Sequence, residues 1–382
     1  MKLGFISTYF YPFTGGAEAN CYYLAKELAK KHEVHIFTSD RKSKTIINKK
    51  EEKIFEINIH RSKTLFRYKY YFAFYPSLLK NLLKQDLDII HVHSLGFIWH
   101  DICLIIKKLY SPKTKILITP HGPFMALKHY PIWQRIIKHL VITEIKLIKN
   151  IYDKTIQVNP KQYLWLEKDY KFKNNKIVYI PNGIEKVSFK KLDIDSFQKQ
   201  YRLKDKFIIT FIGRLSRYKG VQNILQILAE IVKEKRNLMF LIIGEDAGYY
   251  KNLQSIVNKN NLKNNVLFLN KLNDEEKFKA LQLSEIFILP SEWEAFGITI
   301  LEAMSKENAI ISTNTEGGNF LVSENNGLLY KFNDIMSLKK YLRTLIFDNK
   351  LRKNMQKNNL KKAKEFTWDK IVLKLEGEYK KL

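Results

Sequence analysis

Two carboxylates, Glu294 and Glu302, stand eight residues apart in the run Glu294-Ala295-Phe296-Gly297-Ile298-Thr299-Ile300-Leu301-Glu302-Ala303-Met304. The run follows the apolar stretch Ile286–Leu289 and Pro290-Ser291. Such spacing suits a loop that enters a helix. Glu294 then reaches a sugar and Glu302 a diol such as ribose, as carboxylates do in dinucleotide sites. The backbone N–H groups of Phe296, Gly297 and Ile298 would open the helix, where anions and hydroxyls bind. An amphipathic helix with two solvated acids would show the same spacing, so spacing alone leaves both readings open.

Three other turns carry chemistry. Gly213-Arg214-Leu215-Ser216-Arg217-Tyr218-Lys219-Gly220 follows the apolar run Phe207–Ile212. Arg214 offers a planar fork and Lys219 a mobile point charge. Fixed cations of this kind stabilise the charge that develops on a departing diphosphate, which a divalent metal does elsewhere. No Asp-x-Asp motif stands beside them to suggest a metal clamp, and a basic turn on a basic protein is the plainer alternative. Thr14-Gly15-Gly16-Ala17-Glu18 follows the first strand, and Gly15 and Gly16 leave room for backbone amides to approach a phosphate. Thr119-Pro120-His121-Gly122 puts the imidazole of His121 at another strand end, within reach of a reacting sugar.

These residues need strands to present them. Apolar runs of strand length alternate with amphipathic runs of helix length from end to end. Strands are predicted at Lys2–Thr8, Val34–Thr38, Ile89–His93, Lys115–Thr119, Lys154–Val158 and Lys176–Ile180. In the second half they are predicted at Phe207–Ile212, Met239–Ile243, Val266–Leu269, Ile286–Leu289 and Ala309–Ser312. Helices are predicted at Ala17–Lys31, Tyr71–Lys84, Phe97–Leu109 and Ile132–Ile151, then at Val221–Glu234, Tyr249–Asn260, Glu275–Leu283 and Ile335–Asp348. Continuous apolar strands are those of parallel sheets buried on both faces. The chain therefore reads as α/β, with two doubly wound, Rossmann-like domains. The pattern pauses at Pro181-Asn182-Gly183-Ile184, which sets domains at 1–182 and 183–366 with a closing helix at 367–382.

The 382 residues suit two domains. No apolar run approaches the roughly 18–20 residues that span a bilayer. The N-terminus reads as a strand and a loop rather than a signal peptide, so the expected location is the cytoplasm. Cys21 and Cys103 are too few for a disulfide framework or a zinc site. The formal net charge is +28, with 31 basic and 14 acidic residues up to Asn182 and 35 and 24 after it. No zinc-finger spacing, RNP motif or GxxG loop accompanies that charge, so nucleic acid is not an expected partner. An anionic membrane fits better. Arg61–Lys84 and Lys128–Lys154 interleave cations with aromatics, including Lys63, Phe66, Arg67, Lys69 and Tyr70 in one and Trp133, Arg135 and Lys138 in the other. Ordinary surface helices with Lys-rich faces are the alternative for both.

In their order, these pieces resemble glycosyltransferase family 4, the retaining enzymes of the GT-B architecture. Phe10-Tyr11-Pro12 with Gly15-Gly16-Ala17-Glu18 is similar to its first glycine loop, and Ile89-Ile90-His91-Val92-His93 and Thr119-Pro120-His121-Gly122 to its central first-domain strands. Ile180-Pro181-Asn182-Gly183-Ile184 resembles the segment entering the second domain. Gly213-Arg214 with Lys219-Gly220 resembles the phosphate turn, and Glu294 to Met304 the Glu-x7-Glu signature. Phe366-Thr367-Trp368 resembles the start of the helix that crosses back to the first domain.

The resemblance implies an acceptor-side first domain and a nucleotide-sugar-binding second domain facing it across a cleft. Arg214 and Lys219 would hold the donor diphosphate, with Gly16 amides helping. Glu302 would bind the ribose, Glu294 with the Phe296–Ile298 backbone the donor sugar, and His121 would line that sugar's reacting face. Transfer would retain configuration, with no metal and no cofactor beyond the donor itself. The leading acceptor is a lipid-linked glycan at the inner face of a membrane, with a soluble sugar or polysaccharide precursor as the runner-up. Asn270 after one strand, and Ser305-Lys306-Glu307-Asn308 after the signature, depart from the family and bear on the base pocket. A nucleotide-sugar epimerase of the same fold remains an alternative. A dehydrogenase lacks its Gly-x-Gly-x-x-Gly turn, and a non-enzymatic basic module explains the charge but not the site motifs.

Overall fold

A computed structural model describes residues 1–13, 15–42, 45–68, 72–127, 130–270 and 272–382. Thr14, Lys69, Tyr70, Tyr71 and Lys128, named above, lie outside the described residues. The chain forms two units, Met1–Gly183 with Trp368–Leu382, and Ile184–Thr367.

The first unit is built on an eight-stranded sheet. Its strands are β1 (Lys2–Ile6), β2 (Glu33–Ser39), β3 (Glu51–Ile54), β4 (Ile57–Ser62), β5 (Ile89–His93), β6 (Lys115–Thr119), β7 (Lys154–Gln157) and β8 (Ile177–Tyr179). Their order is β8-β7-β6-β5-β1-β2-β4-β3, parallel except for the β3–β4 edge pair. The chain winds from β1 outward through β2, then returns to lay β5 on the other side of β1. The carboxyl ends of β1 and β5 therefore flank a topological switch point. Helices α1 (Gly16–Leu28), α2 (Ser77–Leu83), α3 (Ile98–Tyr110), α4 (Ile132–Ile148) and α5 (Tyr163–Lys168) connect the strands.

Side chains alternate along each strand, so successive residues feed different layers. Leu3 and Phe5 of β1 join Leu24, Leu28, Ile371 and Leu375 on one face, whereas Ile6, Ile90 and Val92 join Leu78, Leu104 and Ile145 on the other.

The second unit is a six-stranded parallel sheet. Its strands are β9 (Phe207–Ile212), β10 (Leu238–Ile243), β11 (Val266–Leu269), β12 (Ile286–Leu289), β13 (Ala309–Thr313) and β14 (Gly327–Tyr330), ordered β11-β10-β9-β12-β13-β14. Every residue of β9, β12 and β13 is buried, which their apolar runs require. The switch point lies between β9 and β12. The helices are α6 (Asp195–Tyr201), α7 (Val221–Glu234), α8 (Tyr250–Lys259), α9 (Asp274–Leu283), α10 (Ile298–Ser305), α11 (Glu316–Leu321), α12 (Ile335–Phe347) and α13 (Asn349–Ala363).

The last helix, α14 (Trp368–Tyr379), packs within the first unit. Its Trp368 stacks on Tyr23 at 5.5 Å, and Glu376 bonds His32 at 2.9 Å.

Two expectations are corrected. The predicted helix Tyr71–Lys84 is a helix only over Ser77–Leu83, because Pro76 sets its start. Before it, Phe72–Phe74 is a strand paired with Phe66–Tyr68, as alternating aromatics favour. Arg61 is not a membrane-facing cation. It lies on β4 with a fully buried guanidinium, 2.6 Å from Glu52 and donating to the Tyr11 carbonyl.

Candidate functional site

In the second unit, two loops leave the switch point side by side. The loop after β9 runs Gly213–Gly220 and the loop after β12 runs Pro290–Gly297. They touch closely. Glu292 N–H donates to the Tyr218 carbonyl at 2.7 Å, and a Cβ on Gly220 would sit 2.0 Å from the Pro290 carbonyl oxygen. Gly220 also has φ +75, a left-handed conformation that favours glycine. Only glycine allows that loop both to turn and to approach its neighbour.

The approach brings two predicted site residues together. Lys219 Nζ is 2.5 Å from Glu294 Oε1, with both side chains under a fifth exposed. Ser291 Oγ donates to the same oxygen at 2.8 Å. Burial opposes the charge on Lys219, but Glu294 and Tyr218 outweigh it and raise the pKa. Lys219 is therefore a cation at any physiological pH, held in place before any ligand arrives. Arg214 is exposed, and its Nη2 donates to the Tyr218 hydroxyl at 3.0 Å.

Gly297, with φ +82, caps α10. The first N–H groups of a helix have no acceptor within it, so the backbone at Gly297 and Ile298 offers donors beside Glu294. The Phe296 side chain is buried against Phe320 and Phe366. Glu302, one turn into α10, accepts from Lys277 of α9 at 2.7 Å. Lys277 also meets Asp274 at 2.8 Å. Burial works against its charge, and the two carboxylates overcome that and raise its pKa.

Sequence reasoning missed Lys277 and Ser291. Nothing in local spacing points Lys277 at an acid 25 residues later. The departing stretch Ser305–Asn308 is structural: the buried Asn308 amide donates to the Leu281 and Lys306 carbonyls.

Two Asp-x-Asp triplets do occur, at Asp86-Leu87-Asp88 and Asp193-Ile194-Asp195. The first precedes β5 at its amino end, where Asp88 accepts from Lys2 N–H at 2.7 Å. In the second, Asp193 caps the Asp195 N–H at 3.1 Å. Neither stands at a strand's carboxyl end, where the predicted site residues are.

In the first unit, the Gly15–Gly16 turn opens α1, and the carboxylate of Glu18 folds back over it. A Cβ on Gly15 would lie 2.2 Å from Glu18 Oε2. A first-turn carboxylate is favoured by the helix dipole, and Lys42 neutralises it at 2.8 Å. The turn thus holds an anion of its own.

His121 stands just past β6 with φ +62. Its Nε2 is 2.9 Å from His93 Nδ1. Beneath them, His91 bonds the Thr119 hydroxyl at 2.6 Å and the Tyr379 hydroxyl of α14 at 2.7 Å. Burial pulls the pKa values of His91 and His121 down to about 3, so both are neutral at pH 7.

Two doubly wound sheets with loops of this kind at the carboxyl ends of their switch-point strands are those of the GT-B fold, and the family matches make the chain a glycosyltransferase. Residues 14–186 match the model for Glycosyltransferase Family 4 and residues 193–362 that for Glycosyl transferases group 1, and the chain belongs to this family. An uncharacterized glycosyltransferase of Methanocaldococcus jannaschii is 28% identical, with 100% of this chain and 98% of the relative covered. The N-acetyl-alpha-D-glucosaminyl L-malate synthase of Bacillus anthracis is 27% identical over 97% of this chain and 94% of its own. The fold is shared with Anabaena HepE, solved in complex with UDP-glucose, at a TM-score of 0.78 and 18% identity over the full length of both chains.

Proposed function

We propose that the chain transfers a sugar, with retention, from a nucleotide-diphosphate sugar to a glycan or lipid-linked glycan. The observation that carries this reading is the Lys219–Glu294 pair spanning the two switch-point loops, with the Arg214 fork beside it. Arg214 and Lys219 hold the diphosphate and take up the charge that grows on it as the glycosidic bond breaks. They do this without a metal. Glu294, oriented by Lys219 and Ser291, accepts from the sugar hydroxyls, and the backbone at Phe296–Ile298 donates to them. Glu302, held by Lys277, accepts from the ribose diol. His121 faces the sugar as a neutral imidazole. The acceptor hydroxyl attacks from the side the phosphate leaves, and the departing phosphate oxygen takes its proton. The UDP-glucose named for HepE supports a nucleotide-sugar donor, and the name of the Bacillus relative supports synthesis of a glycoside.

For the acceptor, the carrying feature is α4. Ile132, Trp133, Ile136, Leu140 and Leu147 form one exposed apolar stripe, with Ile132 76% and Leu147 78% exposed. Arg135 and Lys146 follow along one edge of the stripe, at helical spacing. An apolar face edged by cations suits the surface of an anionic bilayer. No helix of the described residues is long and apolar enough to cross a membrane, so attachment is peripheral and would bring the enzyme to a lipid-linked acceptor.

Incubating the enzyme with a panel of labelled nucleotide sugars, alone and with lipid-linked or soluble acceptors, tests the reading. Label moving to an acceptor with configuration retained supports it. An altered sugar released from donor alone identifies an epimerase instead. Co-sedimentation of wild type and Leu140→Glu with anionic and neutral vesicles tests the docking. Equal binding of both proteins to both vesicles would refute it and favour a soluble acceptor.

A further inference from the structure

We propose that His93 is a positioning residue that locks neutral His121 in the tautomer carrying its proton on Nδ1. His121 then presents an N–H donor, rather than a bare acceptor, to whatever it faces. The inference rests on the reading of His121 as lining the donor sugar only for its effect on turnover, not for the tautomer itself.

The geometry starts from strand register. His91 and His93 alternate on one face of β5, and β6 pairs Thr119 with His93. The left-handed turn at His121 brings its ring back to the same row. The His93 and His121 rings are within 21° of parallel, with centroids 5.2 Å and nitrogens 2.9 Å apart. Two ring radii account for that difference, so the nitrogens lie on the line joining the centres. The rings meet edge to edge in a hydrogen bond and are not stacked face to face.

Which nitrogen carries the proton follows from the far side of His93. Its Nε2 is buried and has no hydrogen-bond partner among the described residues. A neutral imidazole has one N–H and one lone pair. If His93 carried its proton on Nε2, that N–H would be orphaned in the core, and orphaned buried donors are rarer than under-satisfied acceptors. With the proton on Nδ1, His93 donates to His121 Nε2. His121 Nε2 is then an acceptor, and its single proton must sit on Nδ1.

The surroundings keep both rings neutral. The rings packed on His93 are those of Phe5, His91 and His121, and the charges that bear on it among the described residues are the two histidines, not a carboxylate. Burial is the first cause holding His93 and His121 well below the ordinary histidine range. His91 cannot impose a tautomer on the pair, because its own partners, Thr119 and Tyr379, are hydroxyls that donate or accept equally well.

The test is 15N NMR of protein labelled only in histidine, at pH 7 and without substrate. Pyrrole-type and pyridine-type ring nitrogens are well resolved by shift. The expected wild-type result is an Nδ1–H His121 and an Nδ1–H His93, each favoured roughly fivefold or more. His93→Phe keeps the aromatic packing but removes the donor. In it His121 should relax to a mixture of tautomers, and kcat/KM for the donor should fall roughly 2- to 12-fold. His93→Asn, whose amide can donate from near the Nδ1 position, should restore both. An Nε2–H His121 in the wild type overturns the proposal, and that spectrum decides even if the Phe variant fails to fold. The expected tautomers with unchanged turnover in His93→Phe uphold the lock and count instead against His121 facing the sugar.

Discussion

Replacing Lys219 with Met removes the cation that meets Glu294 and that the proposed mechanism sets on the leaving phosphate. Its effect on turnover and its effect on stability can be separated. Removing one preorganised charge-stabilising group typically costs about 2.7–4 kcal/mol of barrier, or roughly 100–1000-fold in kcat. The stability cost comes from the carboxylate left behind. Glu294 keeps only the Ser291 hydroxyl on that oxygen, at 2.8 Å. Breaking a fully buried pair costs about 3–5 kcal/mol and breaking an exposed one about 0–1. With the two side chains at 13% and 16% exposure, the expected loss is intermediate, about 1–3 kcal/mol. Removing the stranded charge in Lys219→Met/Glu294→Gln should recover much of that stability and none of the activity. Steady-state kinetics and urea melts on the two single variants and the double variant provide the assay. If the double variant regained wild-type turnover together with its stability, the pair would be a structural bridge, and its role on the donor would be refuted.

The other predictions concern the scaffold and the chemistry around this pair. Gly220→Ala should destabilise by at least about 1 kcal/mol, since alanine is strained at φ +75 and its Cβ meets the Pro290 carbonyl; an unchanged urea midpoint would contradict the close loop contact. His91 and His121 have folded pKa values near 3 against an ordinary 6.5. Below pH 6.5 the unfolded chain therefore binds more protons than the folded one. Stability should be fully present above pH 6.5 and fall between 6.5 and 3, by up to about 1.4 kcal/mol per pH unit for each histidine; a urea midpoint flat from pH 7 to 5 would contradict the buried row. Metal-stripped enzyme in EDTA should keep its activity if Arg214 and Lys219 fill the metal's role, as proposed; complete loss restored by magnesium or manganese would contradict that.

Strand-end motifs were the most legible part of the sequence. Continuous apolar runs such as Phe207–Ile212 and Ile286–Leu289 have few alternatives to buried parallel strands, and the chemistry sits where those strands stop. What could not be read locally depended on pairing across the fold. Lys277 becomes part of the site only because α9 packs beside α10. Arg61 looked like a surface cation in a basic-aromatic stretch, yet its guanidinium is buried and β3 places Glu52 against it. His93 read as a strand residue until the turn at His121 brought the two rings edge to edge. The helix assigned to Tyr71–Lys84 failed at Pro76, a stop signal outweighed by the apolar periodicity after it. The folding of Glu18 over Gly15 is a side-chain event that glycine spacing does not reveal.

Isothermal titration of a nucleotide-diphosphate sugar into the full-length wild type and Arg214→Ala tests the central claim most directly. Arg214 is exposed and its side chain bonds Tyr218 within its own loop, so its loss should leave the fold untouched. Losing a charge-assisted contact to the diphosphate should weaken binding by about 1.5–3 kcal/mol, or roughly 10- to 150-fold. Equal affinity in the two proteins would contradict a donor site at the β9–β12 switch point.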